Sequence, residues 1–407
     1  MSQTVLDSIA LGYQPIWGRQ RQLAAVRLCV KTLSADTFDA QHLMEILDDD
    51  WPASAPVLVL RLDAHLLLSQ ALDGEPVPNI WLEVPVSHFQ DADSLARLES
   101  AVGRGHVLVR RAALADLGAE TEAPLGVRSL LRLTPAEAFQ ALQSQASSTA
   151  GDALAPFLPG QIYEGMGSHA LAQLCLDSGK AWGVLDWPDD DVLHAYRQQT
   201  LACEDAVIQQ VQTAIDRDSA VDRIERVLRQ DPVLVYRLLV MVSASPAAQR
   251  APIESLRHAI LMLGFSALQR WLTEQLVDSD HDTALHPVRY RMSMRARLAQ
   301  HLLEPGSDAY LRAEVYLTAL LAQIDLLEHQ PLADLLERLS LPNRVPDALL
   351  RRSGPYHHYL QVSAAQGDAA NLHRLPDLCH HHGISMEHAN RALLRMLSTS
   401  RDFSPGR

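Results

Sequence analysis

The sequence is poor in the residues that identify several classes of protein. Aromatic residues make up 5% of the 407 residues, and there are four cysteines. These cysteines lie far apart and show no CxxC spacing, which argues against a disulfide framework and against a zinc finger. They are Cys29, Cys175, Cys203 and Cys379. We therefore expect reduced thiols and a cytoplasmic protein.

Long hydrophobic runs are also missing. Apolar stretches such as residues 57–60 are far shorter than the roughly 20 residues that span a bilayer. The first 17 residues show no basic segment followed by an apolar core, which is the pattern of a signal peptide. We therefore expect no membrane span and no signal peptide.

Basic residues are outnumbered by acidic ones, with 35 Lys and Arg against 49 Asp and Glu, for a formal net charge of -14. Nucleic-acid binding depends on clustered Lys and Arg, so this charge argues against a broad nucleic-acid interface. The sequence also contains no GxSxG, P-loop or GxGxxG motif. Several common enzyme classes thus have no support.

The amino-terminal half alternates short apolar runs with amphipathic segments. This alternation predicts strands and helices of a mostly parallel sheet, in barrel or open form. Thr134 and Glu137 form a capping box that predicts the start of one helix. The predicted strands are residues 11–17, 23–31, 56–62, 79–86, 106–111 and 126–133, and the predicted helices are 36–49, 91–103 and 134–146.

The carboxyl-terminal half is dominated by helical periodicity from about residue 190 onward. Asp231 followed by Pro232 predicts a helix start, with Asp as the N-cap. The acidic segment 186–191 is the best boundary between the halves. The predicted fold is α/β plus all-α, with one domain at residues 1–185 and a helical domain at residues 186–407.

Two segments of the helical half carry motifs of a known family. Residues 229–245, RQDPVLVYRLLVMVSAS, resemble the pattern DPxLxxRLLxxxNSA, although Ser243 stands where Asn is usual. Residues 253–264 resemble the segment I.SL..AI..LG that follows it. This half is similar to the HDOD domain, a regulatory relative of HD-type metal phosphohydrolases. The resemblance implies an HD-like helical bundle.

The amino-terminal half resembles the EAL domain of cyclic-di-GMP phosphodiesterases. Residues 13–16, YQPI, match the first strand of that family, and residues 156–165 are a poor match to its late QGYxF segment. Only about 180 residues are available for a barrel that normally needs more. The resemblance therefore implies a shortened, degenerate EAL-like (β/α) barrel.

EAL enzymes hold metal ions with several carboxylates and an Asn, and the glutamate of the EAL signature is essential. In the register implied by the resemblance, Val26 takes the place of that glutamate, and Arg110 and Arg111 take the place of a pair of aspartates. Glu83 could serve as a stray ligand, but a glutamate on a strand is usually exposed and solvated. The resemblance therefore implies that the two-metal site is lost.

HD hydrolases place adjacent His and Asp ligands inside an apolar helix. The corresponding positions here are Ala322 and Gln323. Neither side chain replaces imidazole or carboxylate as a strong ligand of a divalent metal. The resemblance thus argues against phosphohydrolase activity in this half as well.

Two other segments carry metal-ligating residue types. Residues 278–282, DSDHD, contain a His-Asp pair, but the composition is that of a solvated loop rather than of a buried helix. Residues 379–382, CHHH, are consecutive on a predicted helix, so their side chains point about 100 degrees apart and do not converge. We expect no metal and no cofactor at either segment.

These observations predict a non-enzymatic signalling protein that acts through protein–protein interaction. Its partners would be other signalling proteins or a second copy of the chain, with Arg237 and Arg270 as candidate interaction residues. Two alternatives stay open. One is a cyclic-di-GMP receptor or weak phosphodiesterase, and the other is a metal-dependent phosphohydrolase that uses the His-Asp pair of residues 278–282.

Overall fold

The computed structural model describes residues 4–33, 39–117, 124–146, 157–246, 248, 250–277 and 283–400. Contacts divide the chain into two units. The first lies within Met1–Val192 and Ala365–Arg401, and the second contains Leu193–Ala364. In sequence, the second unit is therefore inserted between two parts of the first.

The first unit contains a closed barrel of eight strands that follow one another in chain order. They are β1 (Ile9–Trp17), β2 (Leu23–Thr32), β3 (Val57–Leu62), β4 (Ile80–Pro85), β5 (Val107–Ala113), β6 (Arg128–Arg132), β7 (Ile162–Glu164) and β8 (Gly183–Leu185). Strand β1 is antiparallel to both of its neighbours, β2 and β8. The remaining neighbouring pairs are parallel. The carboxyl ends of β2 to β8 therefore lie at the same rim of the barrel.

A buried apolar cluster identifies the side chains that point into the barrel. Its members come from seven different strands, which a closed barrel brings together only in its interior. They are Ile16, Ala25, Val59, Val109, Leu130, Ile162 and Leu185, with Val57, Trp81 and Trp182 packed against them. Because side chains alternate along a strand, this cluster fixes the inward-facing positions of each strand.

Five helices follow strands of the barrel. The side chains of Asp39 and Asp91 accept hydrogen bonds from the first turns of the first and third helices. The third helix ends at Gly105, whose φ of 108 is a left-handed conformation that favours glycine. The helices are α1 (Ala40–Asp50), α2 (His65–Asp73), α3 (Ala92–Arg104), α4 (Pro135–Ala146) and α5 (His169–Asp177).

The second unit is helical throughout its described secondary structure, and its first and last helices cross the division between the units. None of the described helices has the length and apolar composition required to cross a bilayer. The helices are α6 (Asp189–Tyr196), α7 (Asp205–Asp216), α8 (Val221–Leu228), α9 (Pro232–Ser243), α10 (Leu256–Leu263), α11 (Phe265–Val277), α12 (His286–His301), α13 (Ala309–Leu321), α14 (Ile324–Glu328), α15 (Leu332–Glu337), α16 (Arg344–Leu349) and α17 (His357–Gln366).

Two carboxyl-terminal helices, α18 (Leu375–His382) and α19 (Met386–Ser398), belong to the barrel unit. Asn390 of α19 is fully buried, and its Nδ2 donates to the carbonyls of Leu6 and Ile9, each at 2.8 Å. Its Oδ1 accepts from the amide of Leu11 at 3.0 Å. One side chain thus satisfies three backbone groups at the start of β1.

The sequence predicted a domain boundary between residues 185 and 186, which assigns α18 and α19 to the helical half. In the structure these helices make their contacts with the barrel instead, because Asn390 hydrogen-bonds the backbone around β1. Gln366 adds to this attachment, since its Nε2 donates to the carbonyl of Ala389 at 3.1 Å and lies 3.5 Å from that of Leu11.

The six predicted strands and the three predicted helices of the first half are confirmed. The fold is a closed barrel followed by a helical region, as the barrel form of the prediction required. Helices α10 and α11 are separated at Gly264, which has a φ of 78. Strands β7 and β8 were missed, since each is only three residues long.

Candidate functional site

A layer of charged side chains crosses the barrel above its apolar interior. On each of six parallel strands, one residue of the apolar cluster, or Trp81 packed against it, is followed two positions later by another inward-facing residue, nearer the carboxyl end of the strand. Every one of these six positions is an arginine or a glutamate. We call them the charged layer: Arg27, Arg61, Glu83, Arg111, Arg132 and Glu164.

An ion pair between Arg27 and Glu83 lies at the centre of the charged layer. Nε and Nη2 of Arg27 each lie 2.6 Å from a different carboxylate oxygen of Glu83, and both side chains are 1% exposed. The Nη1 of Arg27 lies 3.3 Å from the amide oxygen of Gln14 and 3.5 Å from a carboxylate oxygen of Glu164. Burial by itself lowers the pKa of Arg27, but the carboxylate of Glu83 outweighs this effect, and the net shift is upward.

A cavity of about 420 Å³ opens at the same rim. Three guanidinium groups of the charged layer line it, those of Arg61, Arg111 and Arg132, together with the carboxylates of Asp116 and Glu164. Arg111 lies 3.2 Å from Glu83, and Arg61 lies 3.0 Å from the exposed Asp63. Arg132 is exposed and has no ion pair among the described residues. The cavity therefore carries an excess of positive charge in a chain with a formal net charge of -14.

These residues do not fit a divalent metal ion. Metals such as Mg²⁺ and Mn²⁺ need several carboxylate or carbonyl oxygens that are free to coordinate. Both oxygens of Glu83 already accept from Arg27, and the cavity wall places three more guanidinium groups nearby. Among the described residues, no group of three or more His, Cys, Asp or Glu side chains could hold a metal.

Val26, which the resemblance matched to the signature glutamate, lies on the outer face of the barrel. Ala25 belongs to the interior cluster and Arg27 to the charged layer, so the residue between them points outward. The inward-facing position is therefore Arg27, the next residue along the strand. Arg110 also points outward, where its Nε donates to the hydroxyl of Ser129 at 3.1 Å.

Glu83 also differs from expectation, since it is 2% exposed rather than solvated. A glutamate is rarely buried without a partner, and here Arg27 is that partner. The partner comes from a strand 56 residues away in sequence. The pair therefore has no local sequence signal, although the interval of two residues between Ala25 and Arg27 places Arg27 inside the barrel.

In the helical unit, Ala322 follows α13 as its C-cap and Gln323 precedes α14. The amide oxygen of Gln323 accepts from Nη1 of Arg295 at 3.4 Å. Neither position provides an imidazole or a carboxylate. The His-Asp pair of residues 278–282 lies outside the described residues.

The two predicted interaction residues have different surroundings. Arg237 is half-buried, and its guanidinium donates to the carbonyl of Leu201 at 2.7 Å and to Oε1 of Gln275 at 3.3 Å. Its Nη1 also lies 3.5 Å from the Sγ of Cys203. These contacts give Arg237 a structural role inside the unit. Arg270 is exposed on α11.

The cysteine and the histidines of residues 379–382 lie on α18. Burial raises the pKa of the Cys379 thiol to about 12, and the side chains of His380 and His381 are exposed. The ring centroids of His381 and His382 lie 4.8 Å apart, so these two neighbouring side chains contact each other, contrary to the expectation that consecutive helical residues do not converge.

Sequence reasoning missed a buried charged cluster in the helical unit. Nδ1 of His286 lies 3.2 Å from Glu204, and Nη1 of Arg289 lies 3.3 Å from Asp231. Arg289 also donates to the carbonyl of Ala202 at 2.6 Å. Burial raises the pKa of Asp231, whereas the charges of His286 and Arg289 overcome burial at Glu204 and lower its pKa. The spacing of His286 and Arg289, three residues apart on one helix, was the available signal.

Comparisons with known proteins address the helical half directly. Residues 202–328 match the family model of the HDOD domain, so the HDOD resemblance is confirmed for these residues. Over 146 residues the chain is 25% identical to the uncharacterized protein YuxH of Bacillus subtilis (strain 168), which covers 35% of each chain.

A second relative is the cyclic di-GMP phosphodiesterase CdgJ of Vibrio cholerae serotype O1 (strain ATCC 39315 / El Tor Inaba N16961). The identity is 25% over 184 residues, which cover 45% of this chain and 42% of that one. The chain thus spans less than half the length of either relative. Among solved structures, the MmoQ response regulator from Methylococcus capsulatus str. Bath is 19% identical, with a TM-score of 0.39, covering 48% of this chain and 98% of that one.

Proposed function

We propose that this chain is a non-enzymatic signalling protein that acts through protein–protein interaction, and that its barrel is a degenerate relative of the EAL domain. The HDOD match and the distant cyclic di-GMP phosphodiesterase relative suggest a signalling protein. The observation that supports a non-enzymatic, degenerate barrel is the buried ion pair of Arg27 and Glu83. A two-metal phosphodiesterase needs free carboxylates to hold its metal ions, and here Arg27 takes both oxygens of Glu83.

The chemistry of the charged layer supports a loss of hydrolysis. A metal-activated water requires a cation held by carboxylates, and the metal lowers the pKa of that water. In this barrel a guanidinium group takes both oxygens of the central carboxylate, and a second one lies 3.2 Å from it. Cations repel one another, so the same layer disfavours a divalent metal.

Activity and metal binding are tested together on the purified full chain. We expect no hydrolysis of cyclic di-GMP or of bis(p-nitrophenyl) phosphate with added Mg²⁺ or Mn²⁺, and no metal-dependent change in Tm. Turnover that disappears in both Glu83→Gln and Glu164→Gln would overturn the proposal. Turnover that survives both substitutions but disappears in the variant His281→Ala/Asp282→Ala would overturn it as well, and only turnover that survives all of these changes would be assigned to a contaminating enzyme.

The interaction is tested by co-purification from the native cell. We expect the intact chain to retain a specific protein and the isolated helical unit, residues 193–364, to retain the same one. A chain that elutes alone at physiological salt and also fails to self-associate contradicts an interaction function.

A cyclic-di-GMP receptor is the second candidate, favoured by the three arginines of the rim cavity and by the name of the Vibrio cholerae relative. Arginine forks bind phosphate oxygens well. Calorimetry with cyclic di-GMP in the presence of a chelator tests it. If cyclic di-GMP at high micromolar concentration gives no heat of binding, this candidate is eliminated.

A further inference from the structure

The cavity at the rim of the barrel has the chemistry of an anion site that needs no metal. Its wall brings together the guanidinium groups of Arg61, Arg111 and Arg132 from three different strands. A guanidinium group stays charged and presents a planar fork of donors that matches phosphate oxygens. The rest of the chain is strongly acidic, so the clustering of three arginines is a local reversal of charge.

We propose that this cavity binds a phosphate monoester with a hydroxyl-bearing organic part, directly on Arg61, Arg111 and Arg132. A monoester carries close to two negative charges and three terminal oxygens near neutral pH. A phosphodiester carries one charge and two such oxygens. Three arginines that line one cavity therefore suit the monoester better.

The two carboxylates of the cavity determine the other part of the ligand. Asp116 and Glu164 line the same space as the arginines, and ionised carboxylates only accept hydrogen bonds. They would repel a bare anion and would accept from the hydroxyl groups of a sugar. The volume of about 420 Å³ falls within the range of small-molecule sites.

Arg132 is the residue on which this site depends most. Arg61 has Asp63 as a partner and Arg111 has Glu83, whereas Arg132 forms no ion pair among the described residues. It is also exposed at the end of β6, so a substitution there leaves the barrel interior intact. A ligand can therefore bind the guanidinium group of Arg132 without breaking an ion pair among the described residues.

The inference goes beyond the proposed function, because it assigns a small-molecule ligand. The test is calorimetry on the full chain with a chelator present and ionic strength held constant. The probes are ribose 5-phosphate, ribose and inorganic phosphate. We expect ribose 5-phosphate to bind at millimolar concentrations or below, inorganic phosphate to bind more weakly, and ribose not to bind.

Variants locate the binding. Arg132→Gln should weaken the binding of ribose 5-phosphate by about tenfold or more, since hydrogen bonds to charged groups contribute that much. Arg132→Lys keeps the charge but loses the planar fork of donors, and it should weaken the binding of ribose 5-phosphate less than Arg132→Gln does. The matched control is Arg97→Gln, an arginine on α3 whose side chain is 47% exposed and pairs with Asp73. It should leave binding unchanged.

Asp116→Asn tests the role of the carboxylates. Removing this negative charge should strengthen the binding of inorganic phosphate. The preference of the cavity for ribose 5-phosphate over inorganic phosphate should therefore decrease. The proposal is overturned if ribose 5-phosphate gives no heat, if Arg132→Gln and Arg97→Gln behave alike, or if cyclic di-GMP binds and ribose 5-phosphate does not. Hydrolysis of the bound ester would contradict the non-enzymatic function, but it would not contradict the proposed binding site.

Discussion

Arg27 and Glu83 face each other inside the barrel, joined by two hydrogen bonds of 2.6 Å and almost fully shielded from solvent. Two buried charges of opposite sign hold each other in place, and each would be costly without the other. Arg111 and Glu164 extend the pair to two further strands. The barrel interior therefore changes from apolar to ionic within two residues along each of the six strands that carry the charged layer.

Breaking this pair should destabilise the barrel strongly. Arg27→Met leaves Glu83 buried with only Arg111 beside it, and we expect a loss of about 3–5 kcal/mol in the free energy of unfolding. The double variant Arg27→Met/Glu83→Leu should recover most of that loss, because no charge stays unpaired. Urea unfolding of the single and double variants measures both values.

The control for that experiment is Arg61→Gln. Arg61 belongs to the same charged layer, but its partner Asp63 is exposed, with 48% of the side chain accessible. Exposed pairs contribute less than about 1 kcal/mol. If Arg27→Met costs no more than Arg61→Gln, the pair is not what holds this layer together.

Asn390 should be essential to the attachment of the carboxyl-terminal helices. Asn390→Ala removes the partners of two carbonyls and one amide near β1 and leaves them buried. We expect a cost of about 2–4 kcal/mol, since each unsatisfied buried group costs about 1–3 kcal/mol and solvent recovers part of it. Urea unfolding gives the cost, and limited proteolysis reports earlier cleavage in residues 365–400.

Asn371→Ala is the matched control, because Asn371 is an exposed asparagine whose side chain bonds only the nearby Asp368 among the described residues. It should change stability by less than about 0.5 kcal/mol. Equal protease resistance of the two variants would show that Asn390 does not anchor α19.

The strands of the barrel could be predicted from the sequence because each pattern is local. Residues 11–17 and 23–31 are apolar and bounded by turns, and the structure confirms strands at both places. The attachment of α19 to β1 could not be predicted in this way. The contact joins residues 379 apart, and a lone asparagine in an amphipathic helix looks like any solvated polar residue.

The residues of the rim cavity have only a partial signal in the sequence. The resemblance placed basic residues at positions where a metal site needs carboxylates, and Arg111 does line the cavity. The resemblance matched Val26 to the signature glutamate, whereas the side chain that points into the barrel is that of Arg27, because neighbouring residues lie on opposite faces of a strand. Only the interior cluster, through Ala25, identifies Arg27 as the inward-facing residue.

Asp231 should be one of the most sensitive positions of the helical unit. It caps α9 by accepting from the amides of Val233 and Leu234, and it also accepts from the amide of Glu204 at 2.8 Å. Asp231→Ala removes these bonds and takes from Arg289 the carboxylate that is nearest to it among the described residues, for an expected cost of about 3–5 kcal/mol. Asp231→Asn keeps the cap and should cost less.

Asp308 offers the comparison within the same unit. It caps α13 by accepting from the amide of Tyr310 at 3.0 Å, and it is exposed. Asp308→Ala should cost about 1 kcal/mol, the usual value for a lost cap. Unfolding curves followed by circular dichroism measure both variants, and similar costs would mean that the contact with Arg289 contributes nothing.

The buried thiols should make the protein less stable at alkaline pH. Burial raises the pKa of Cys29 to about 11 and of Cys203 to about 12, and it also raises that of Cys175. A thiol whose pKa is raised by folding stabilises the folded state below its unfolded pKa. That contribution is lost as the pH rises from about 9 toward the folded value.

Each buried thiol should therefore reduce the free energy of unfolding by about 1 kcal/mol between about pH 9 and about pH 10. In Cys175→Ala, the decrease in the free energy of unfolding between these two pH values should be smaller by about 1 kcal/mol, whatever the substitution costs at neutral pH. Urea unfolding at the two pH values measures the difference. A decrease that is the same with and without Cys175 would show that its thiol already ionises in the folded protein, in contradiction to its complete burial.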